Sequence, residues 1–296
     1  MKFFDAAGTA QLLDYRALVD SLKTVLLEYD RGQIECPQRL VVRCGHSDGL
    51  LLSMPSNAAD LAVHKLLTIF ASNPSRGMPA IQGNVTAYRA EDGKPLICLD
   101  GPTVTGRRTA GITIIGMQQL CLEPPRSILI IGTGVQAKNH VEAIRVFYPD
   151  AQLRIQGRSS EKEVAFCDHW SSGVGPASSI RTDSIDVVIA VTTSKTPVYN
   201  EPGQSARLVI GVGAYRLDMI EIGSKLINSS KVYVDDPVGA PEEAGDLAAA
   251  GIAWQNVSSL ASALTEKPDH SHPIFFKSVG CSAWDLAACR AALARS

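Results

Sequence analysis

Residues 127–137, SILIIGTGVQA, constrain what this chain can fold into more than any other stretch. Residues 128–131 form an apolar run that suits a buried strand and is too short for a helix. Gly132, Gly134 and Ala137 follow at the spacing G-x-G-x-x-A, and a helical stripe of Ala137, Val141, Ile144 and Tyr148 begins at once. Gly132 permits a sharp turn, Gly134 lets backbone approach a pyrophosphate, and Ala137 lets the helix pack close to the strand. The free amides and the dipole of the helix N-terminus favour phosphate. The spacing alone would also fit an ordinary strand-to-helix turn. The flanking strand and helix favour a dinucleotide site, held by Gly132, Thr133, Gly134, Val135 and Gln136.

More short apolar runs follow at 152–156, 185–191, 207–212 and 231–235, with a helical pattern at 161–170. Strands alternating with helices predict an α/β fold with a Rossmann-type, doubly wound parallel sheet. Ligand then lies beyond the carboxyl ends of the strands, at Gly132, Gly157, Thr192 with Thr193, and Gly213.

The first third reads differently. Residues 1–30 are helical after a short strand, with Asp14 as an N-cap and a one-sided stripe of Leu18, Val19, Leu22, Val25, Leu26 and Tyr29. Alternating runs at 39–43 and 49–54 predict antiparallel strands, 61–70 is a further strand candidate that carries Lys65 inside an otherwise apolar run, and 84–88 with 95–99 predict a hairpin. Residues 103–122 read as one helix, stopped by Pro124 and Pro125. That stop marks a domain boundary, giving 1–122 and 123–275. A last helix, 282–295, carries Leu286, Cys289 and Leu293 on one face and can return to the first domain, as can all of 276–296.

A formal net charge of −2 implies no general attraction to nucleic acid or to an anionic membrane. No apolar run reaches the roughly 20 residues needed to span a bilayer. The start, MKFFD, carries an acid where a signal peptide needs its apolar core. These features predict a soluble, cytoplasmic protein. The seven cysteines are widely spaced, without C-x-x-C, which disfavours both disulfides and zinc. His270 and His272, between two prolines, read as a loop, so no metal is expected.

The end of the second parallel strand selects the nicotinamide cofactor. An NAD site places a carboxylate there for the ribose hydroxyls. Here the chain reads Gln156-Gly-Arg-Ser-Ser160, with no acid before Glu161. Arg158 stands near the expected acidic position, about 20 residues beyond the glycine turn. Its guanidinium can pair with a 2′-phosphate, and Ser159 can add a hydroxyl. NADPH is expected over NADH, although NADH remains compatible.

Several separated stretches also occur in a telling order: PQRL at 37–40, LSMP at 52–55, the Lys65 strand, RTA at 108–110, IGTGVQA at 131–137, Gly213-Ala214 with Glu221, and KSVG at 277–280. Together they resemble the ornithine cyclodeaminase/mu-crystallin family over almost the whole chain. The resemblance implies an α+β substrate-binding and dimerisation domain, formed by 1–122 with 276–296, beside the Rossmann domain. It implies a homodimer. It adds Thr109 and Gly280 to the cofactor residues and turns Arg39, Lys65 and Arg108 toward substrate, with Arg39 and Arg108 on its carboxylate. Met54 belongs to an apolar wall of the pocket. Taken singly, each cation could equally be half of a surface ion pair. Lys65 is less ambiguous, because a lysine inside an apolar strand needs a function or a partner.

One departure separates the activities. Cyclodeaminases of this family carry Asp shortly after the glycine equivalent to Gly213, whereas this chain reads Gly213-Ala214-Tyr215. Asp218 and Glu221 lie further on. Without that acid the resemblance points to reduction of small cyclic imino acids: Δ1-pyrroline-2-carboxylate to L-proline and Δ1-piperideine-2-carboxylate to L-pipecolate, with Lys65 and Arg108 as catalytic residues. The alternatives are ornithine cyclodeaminase, an alanine-dehydrogenase-like amination, and a non-catalytic binder of NADPH.

Overall fold

The computed structural model describes residues 1–45, 49–170, 172–177 and 184–296. Contacts divide the chain into two compact units, Met1–Gly111 with Cys281–Ser296, and Ile112–Gly280.

The first unit opens with β1 (Lys2–Phe3), α1 (Ala6–Leu12) and α2 (Tyr15–Asp30). Two aspartates break the expected helical stretch in two. Asp5 accepts the Gly8 N–H to start α1, and Asp14 accepts those of Arg16 and Ala17 to start α2. Then come β2 (Leu40–Arg43), β3 (Leu50–Asn57), β4 (Leu61–Ile69), β5 (Ile81–Arg89), β6 (Pro95–Asp100) and the long helix α3 (Gly101–Leu120). Among the described residues these strands make one sheet in the order β1-β6-β5-β4-β3-β2, antiparallel except for the β1–β6 pair. Strand β4 alternates with period two: Leu61, Val63, Lys65 and Leu67 are buried, and their neighbours are less so. Met54 on β3 and Val85 on β5 stand directly opposite Lys65, so all three share the buried face.

The boundary between units falls inside α3, earlier than the proline stop at 124. Beyond residue 111 the helix belongs with the second unit: Ile112, Ile114 and Ile115 are wholly buried, and Gly116 lies so close to Phe276 that a Cβ would meet its ring at 2.7 Å. The second unit continues as β7 (Ser127–Ile131), α4 (Val135–Phe147), β8 (Gln152–Gln156), α5 (Ser160–Cys167), β9 (Val174–Pro176), β10 (Val187–Ala190), β11 (Leu208–Gly211), α6 (Ser224–Asn228), β12 (Lys231–Val234), α7 (Ala240–Glu243), α8 (Gly245–Ala250), β13 (Val257–Ser259) and β14 (Ile274–Lys277). The sheet order is β13-β12-β14-β11-β10-β7-β8-β9, with every pair parallel. Strands β10 and β11 are buried at every residue, as expected of parallel strands covered on both faces. The strand order reverses at β7, between β8 and β10, which is the switch point where such sheets bind ligand.

Three strands lie outside the sequence expectation. β9 and β13 are short and sit at the two edges, where the Pro176 of β9 is tolerated. β14 inserts between β11 and β12 although it comes last in the chain.

The chain closes with α9 (Ala283–Leu293), which contacts α2, β3, β4 and β5. Trp284 is fully buried and meets Tyr29 edge-on, with ring centroids 5.8 Å apart. The Ser21 hydroxyl donates to the Ala287 carbonyl, and Arg290 pairs with both Glu28 and Asp60. Truncating an aromatic so buried costs about 3–5 kcal/mol, so Trp284 alone anchors much of this helix.

Candidate active site

In the second unit, the turn after β7 works as its glycines require. Gly132 has φ +130°, and a Cβ there would sit 2.9 Å from Val191. Gly134 is the N-cap of α4. No side chain caps this helix start, and a Cβ at Gly134 would meet nothing within 4 Å. The first amides of α4 therefore border open space, as a pyrophosphate site needs. Ala137 is fully buried against the strand. His140 holds this first turn: its Nδ1 donates to the Gln136 carbonyl, and its Nε2 lies 2.9 Å from the Thr113 hydroxyl. Burial pushes the imidazole down to about 4, so it is neutral at pH 7 and the Thr113 hydroxyl donates to it.

A cavity of about 510 Å³ opens beside this turn. Gly132, Thr133, Gly134, Gly157, Arg158, Thr192 and Thr193 line it, together with Gln156, Lys162 and Ser194. Val135 lines an adjoining cleft of about 460 Å³ that shares Thr133, Gly134 and Lys162. Among the described residues no carboxylate lines the larger cavity, whereas Arg158 and Lys162 both do. Of the two acids that open α5, Glu161 is exposed, and Glu163 is buried and accepts the Gly157 N–H at 3.0 Å, which holds it on the loop backbone. The residues present thus fit a dinucleotide, with helix amides and glycines for the pyrophosphate and cations at the far end of β8.

The other expected cofactor residues are not among those lining this cavity. Gln136 offers its carbonyl to His140, and Ser159 is the N-cap of α5; neither lines the cavity. Thr109 is buried in α3, within the first unit. Gly213 and Gly280 are committed to backbone geometry. A Cβ on Gly213 would fall 2.0 Å from the Thr192 carbonyl oxygen. Gly280 has φ +75° and donates its N–H to Asp235.

Behind the cavity lies a buried acid–base cluster that sequence reading missed. The Glu221 carboxylate accepts N–H groups from Thr192, after β10, and from Gly213 and Ala214, after β11. Asp246 accepts the N–H groups of Glu221 and Ile222 and lies 3.0 Å from Lys277 Nζ. Burial pushes Glu221 up to about 7, against the Lys277 charge and the amides of Thr192 and Ala214. Asp218 is exposed and pairs with Arg216 and Lys195. Both acids near residue 215 are thus engaged, Asp218 by exposed cations and Glu221 by backbone amides.

In the first unit, Lys65 and Arg108 converge on one carboxylate, Asp285 of α9. Its Oδ2 lies 2.8 Å from Lys65 Nζ and its Oδ1 3.2 Å from Arg108 Nε. All three side chains are buried. Burial first, and then the Arg108 charge, push the Lys65 ammonium down to about 8, while Asp285 holds it up. Arg39, just before β2, is near enough for its charge to act on Lys65. Met54 lies buried beside Lys65 on the same sheet face. Asp285 was legible in principle: it is the acid within an otherwise apolar stretch, Ala283-Trp-Asp-Leu-Ala-Ala-Cys289.

The sequence profile of the ornithine cyclodeaminase/mu-crystallin family matches residues 3–294. The chain belongs to this family. Two relatives are reductases. The Δ(1)-pyrroline-2-carboxylate/Δ(1)-piperideine-2-carboxylate reductase of Azospirillum brasilense is 50% identical, over 98% of this chain and 94% of its own. The Δ(1)-pyrroline-2-carboxylate reductase 2 of Burkholderia ambifaria is 49% identical over the same shares. The solved structure of Thermococcus litoralis Δ(1)-pyrroline-2-carboxylate reductase in complex with NADH and L-proline matches with a TM-score of 0.89, covering 100% of this chain and 97% of that one. At 21% identity that likeness is one of fold. Membership in the ornithine cyclodeaminase/mu-crystallin family accounts for the pairing of a Rossmann sheet with an antiparallel one. Activity has to be argued from the site.

Proposed function

We propose that this chain is an NAD(P)H-dependent oxidoreductase of cyclic ketimines, reducing Δ1-pyrroline-2-carboxylate to L-proline. It takes NADPH in preference to NADH and also reduces the six-membered Δ1-piperideine-2-carboxylate to L-pipecolate. The observation that carries the reading is the buried group of Lys65, Arg108 and Asp285, in which two cations share one acid. The charge left over suits a small carboxylate. Arg108 meets Asp285 through Nε, and a bidentate contact to a second carboxylate would use Nη1 and Nη2. Arg39 adds a second guanidinium. Lys65 hydrogen-bonds the substrate carboxylate; protonation of the ring nitrogen makes C2 electrophilic. Met54 supports an apolar wall. The bound nicotinamide supplies hydride; these residues supply orientation and charge.

The NADPH preference is supported by Arg158 and Lys162 in a cavity that no acid lines among the described residues, with Glu163 turned onto Gly157. The substrate domain, Met1–Gly111 with Cys281–Ser296, forms a homodimer in this reading. Its edge strand β2 exposes Leu40, Val41 and Val42, an apolar edge that a second copy would cover. The reductase names of relatives at 50% and 49% identity favour this reading over ornithine cyclodeamination, as does the absence of an acid at Ala214 and Tyr215.

One assay series tests it. NADPH absorbance is followed with each cyclic ketimine and with pyruvate plus ammonia, and ammonia release from L-ornithine is measured separately. The expected result is oxidation of NADPH by the ketimines alone, with a lower KM for NADPH than for NADH. Ammonia from ornithine, or no turnover of either ketimine, rules the reading out.

A further inference from the structure

We infer that Asp285 is the positioning residue of the substrate site, holding the Lys65 ammonium and the Arg108 guanidinium as one two-cation clamp for the carboxylate of a cyclic imino acid. The inference rests on the ketimine reductase reading.

Lys65 comes from β4, Arg108 from α3 and Asp285 from α9, so three elements distant in sequence meet at one carboxylate. Each oxygen of Asp285 takes one cation, which fixes the two cations relative to each other. Without the acid, two buried like charges would repel, and burial would favour neutral lysine. The tendency is visible in Lys65, which burial and Arg108 push down to about 8 while Asp285 opposes them. Asp285 therefore keeps Lys65 charged at neutral pH.

The competing explanation is that Asp285 only pins α9 to the sheet. That helix is already held by Trp284 against Tyr29, by Ser21 on the Ala287 carbonyl, and by Arg290 on Glu28 and Asp60. A pin also needs only one cation, and here there are two. Among the described residues, two buried cations meet this one acid, and the net positive charge of the group matches a monoanionic ligand.

The test compares Asp285→Asn, Asp285→Glu and Arg290→Ala with the wild-type holoenzyme. The readouts are kcat and KM for Δ1-pyrroline-2-carboxylate, NADPH binding by fluorescence, Tm, and the pH profile of kcat/KM. The expected result for Asp285→Asn is a KM raised about tenfold or more, NADPH binding unchanged, and the alkaline fall of kcat/KM moved to lower pH by about one unit or more. Asp285→Glu keeps the charge, so its alkaline limb stays at the wild-type pH even where KM rises; this variant carries the test if Asp285→Asn does not fold. Arg290→Ala lowers Tm and leaves KM and the alkaline limb in place. Asp285→Asn with wild-type KM and limb overturns the inference alone, as does Arg290→Ala reproducing the Asp285→Asn shifts or Asp285→Glu moving the limb. A wild-type protein that reduces no cyclic ketimine overturns the functional reading, and the inference falls with it.

Discussion

Each unit buries an acid–base cluster, and the two are built on opposite charge counts. Lys65, Arg108 and Asp285 set two cations against one acid. Lys277, Asp246 and Glu221 set one cation against two acids. Their hydrogen bonding differs as well. Glu221 and Asp246 accept five backbone N–H groups between them, from Thr192, Gly213, Ala214, Glu221 and Ile222. Asp285 faces side-chain cations. A buried charge saturated by backbone is scaffold, since its removal strands the loops it ties. A buried charge in surplus, carried on side chains, is available to a ligand. Burial and pairing alone do not separate the two cases, because both clusters have both.

This contrast can be broken experimentally. The largest effect is expected from Lys65→Met, with kcat/KM for the ketimine falling about a thousandfold for the loss of charge-assisted contacts of about 1.5–3 kcal/mol each. Stability changes little, because Arg108 still pairs Asp285; steady-state kinetics and urea unfolding check the two halves. The mirror experiment is Lys277→Met. It leaves Asp246 without its buried cation and costs about 3–5 kcal/mol of stability, while KM for the ketimine stays near wild type in the folded protein. Equal losses of activity and stability in both variants would erase the distinction.

Glu221 sharpens the comparison through pH. Its folded-state value, about 7, lies above its ordinary 4.5. Between those values the folded protein keeps a proton that the unfolded chain has released. The group therefore favours folding on the acid side, and its contribution is lost as pH rises through about 7. The span amounts to about 3 kcal/mol. Urea unfolding at pH 5 and pH 8 should show this difference in the wild type and a flatter response in Glu221→Gln. The smallest effect is that of Lys162→Ala, an exposed cation in the cavity. KM for NADPH should rise about fivefold, as for the loss of about 1 kcal/mol, with KM for NADH unchanged. An equal rise for both cofactors would mean that Lys162 serves the shared pyrophosphate and not the 2′-phosphate.

Much of the fold was legible because its signals are local. The apolar runs of β7, β8, β10, β11 and β12, the glycines at 132 and 134, the lysine inside the apolar run of β4 and the cap at Asp14 depend on neighbours in sequence. β14 was missed because its four residues, Ile274–Lys277, carry no period of their own and because its place between β11 and β12 is a matter of topology. In the site, Arg158 could be found by counting from the glycine turn. Lys162 could not, since its approach to the cavity depends on how α5 leaves the loop after β8.

By itself, then, the sequence determined the α/β class, the glycine turn with its helix, the antiparallel sheet with Lys65 facing inward, and the lack of an acid after Gly213. Only tertiary structure decided that Lys65 and Arg108 share Asp285, and that Glu221 is spent on three backbone amides. The physical reason is range. Strand alternation, turns and caps are set by a few adjacent residues, whereas the pairing of buried charges is set by which elements meet in the core, and α9 meets β4 from more than two hundred residues away along the chain.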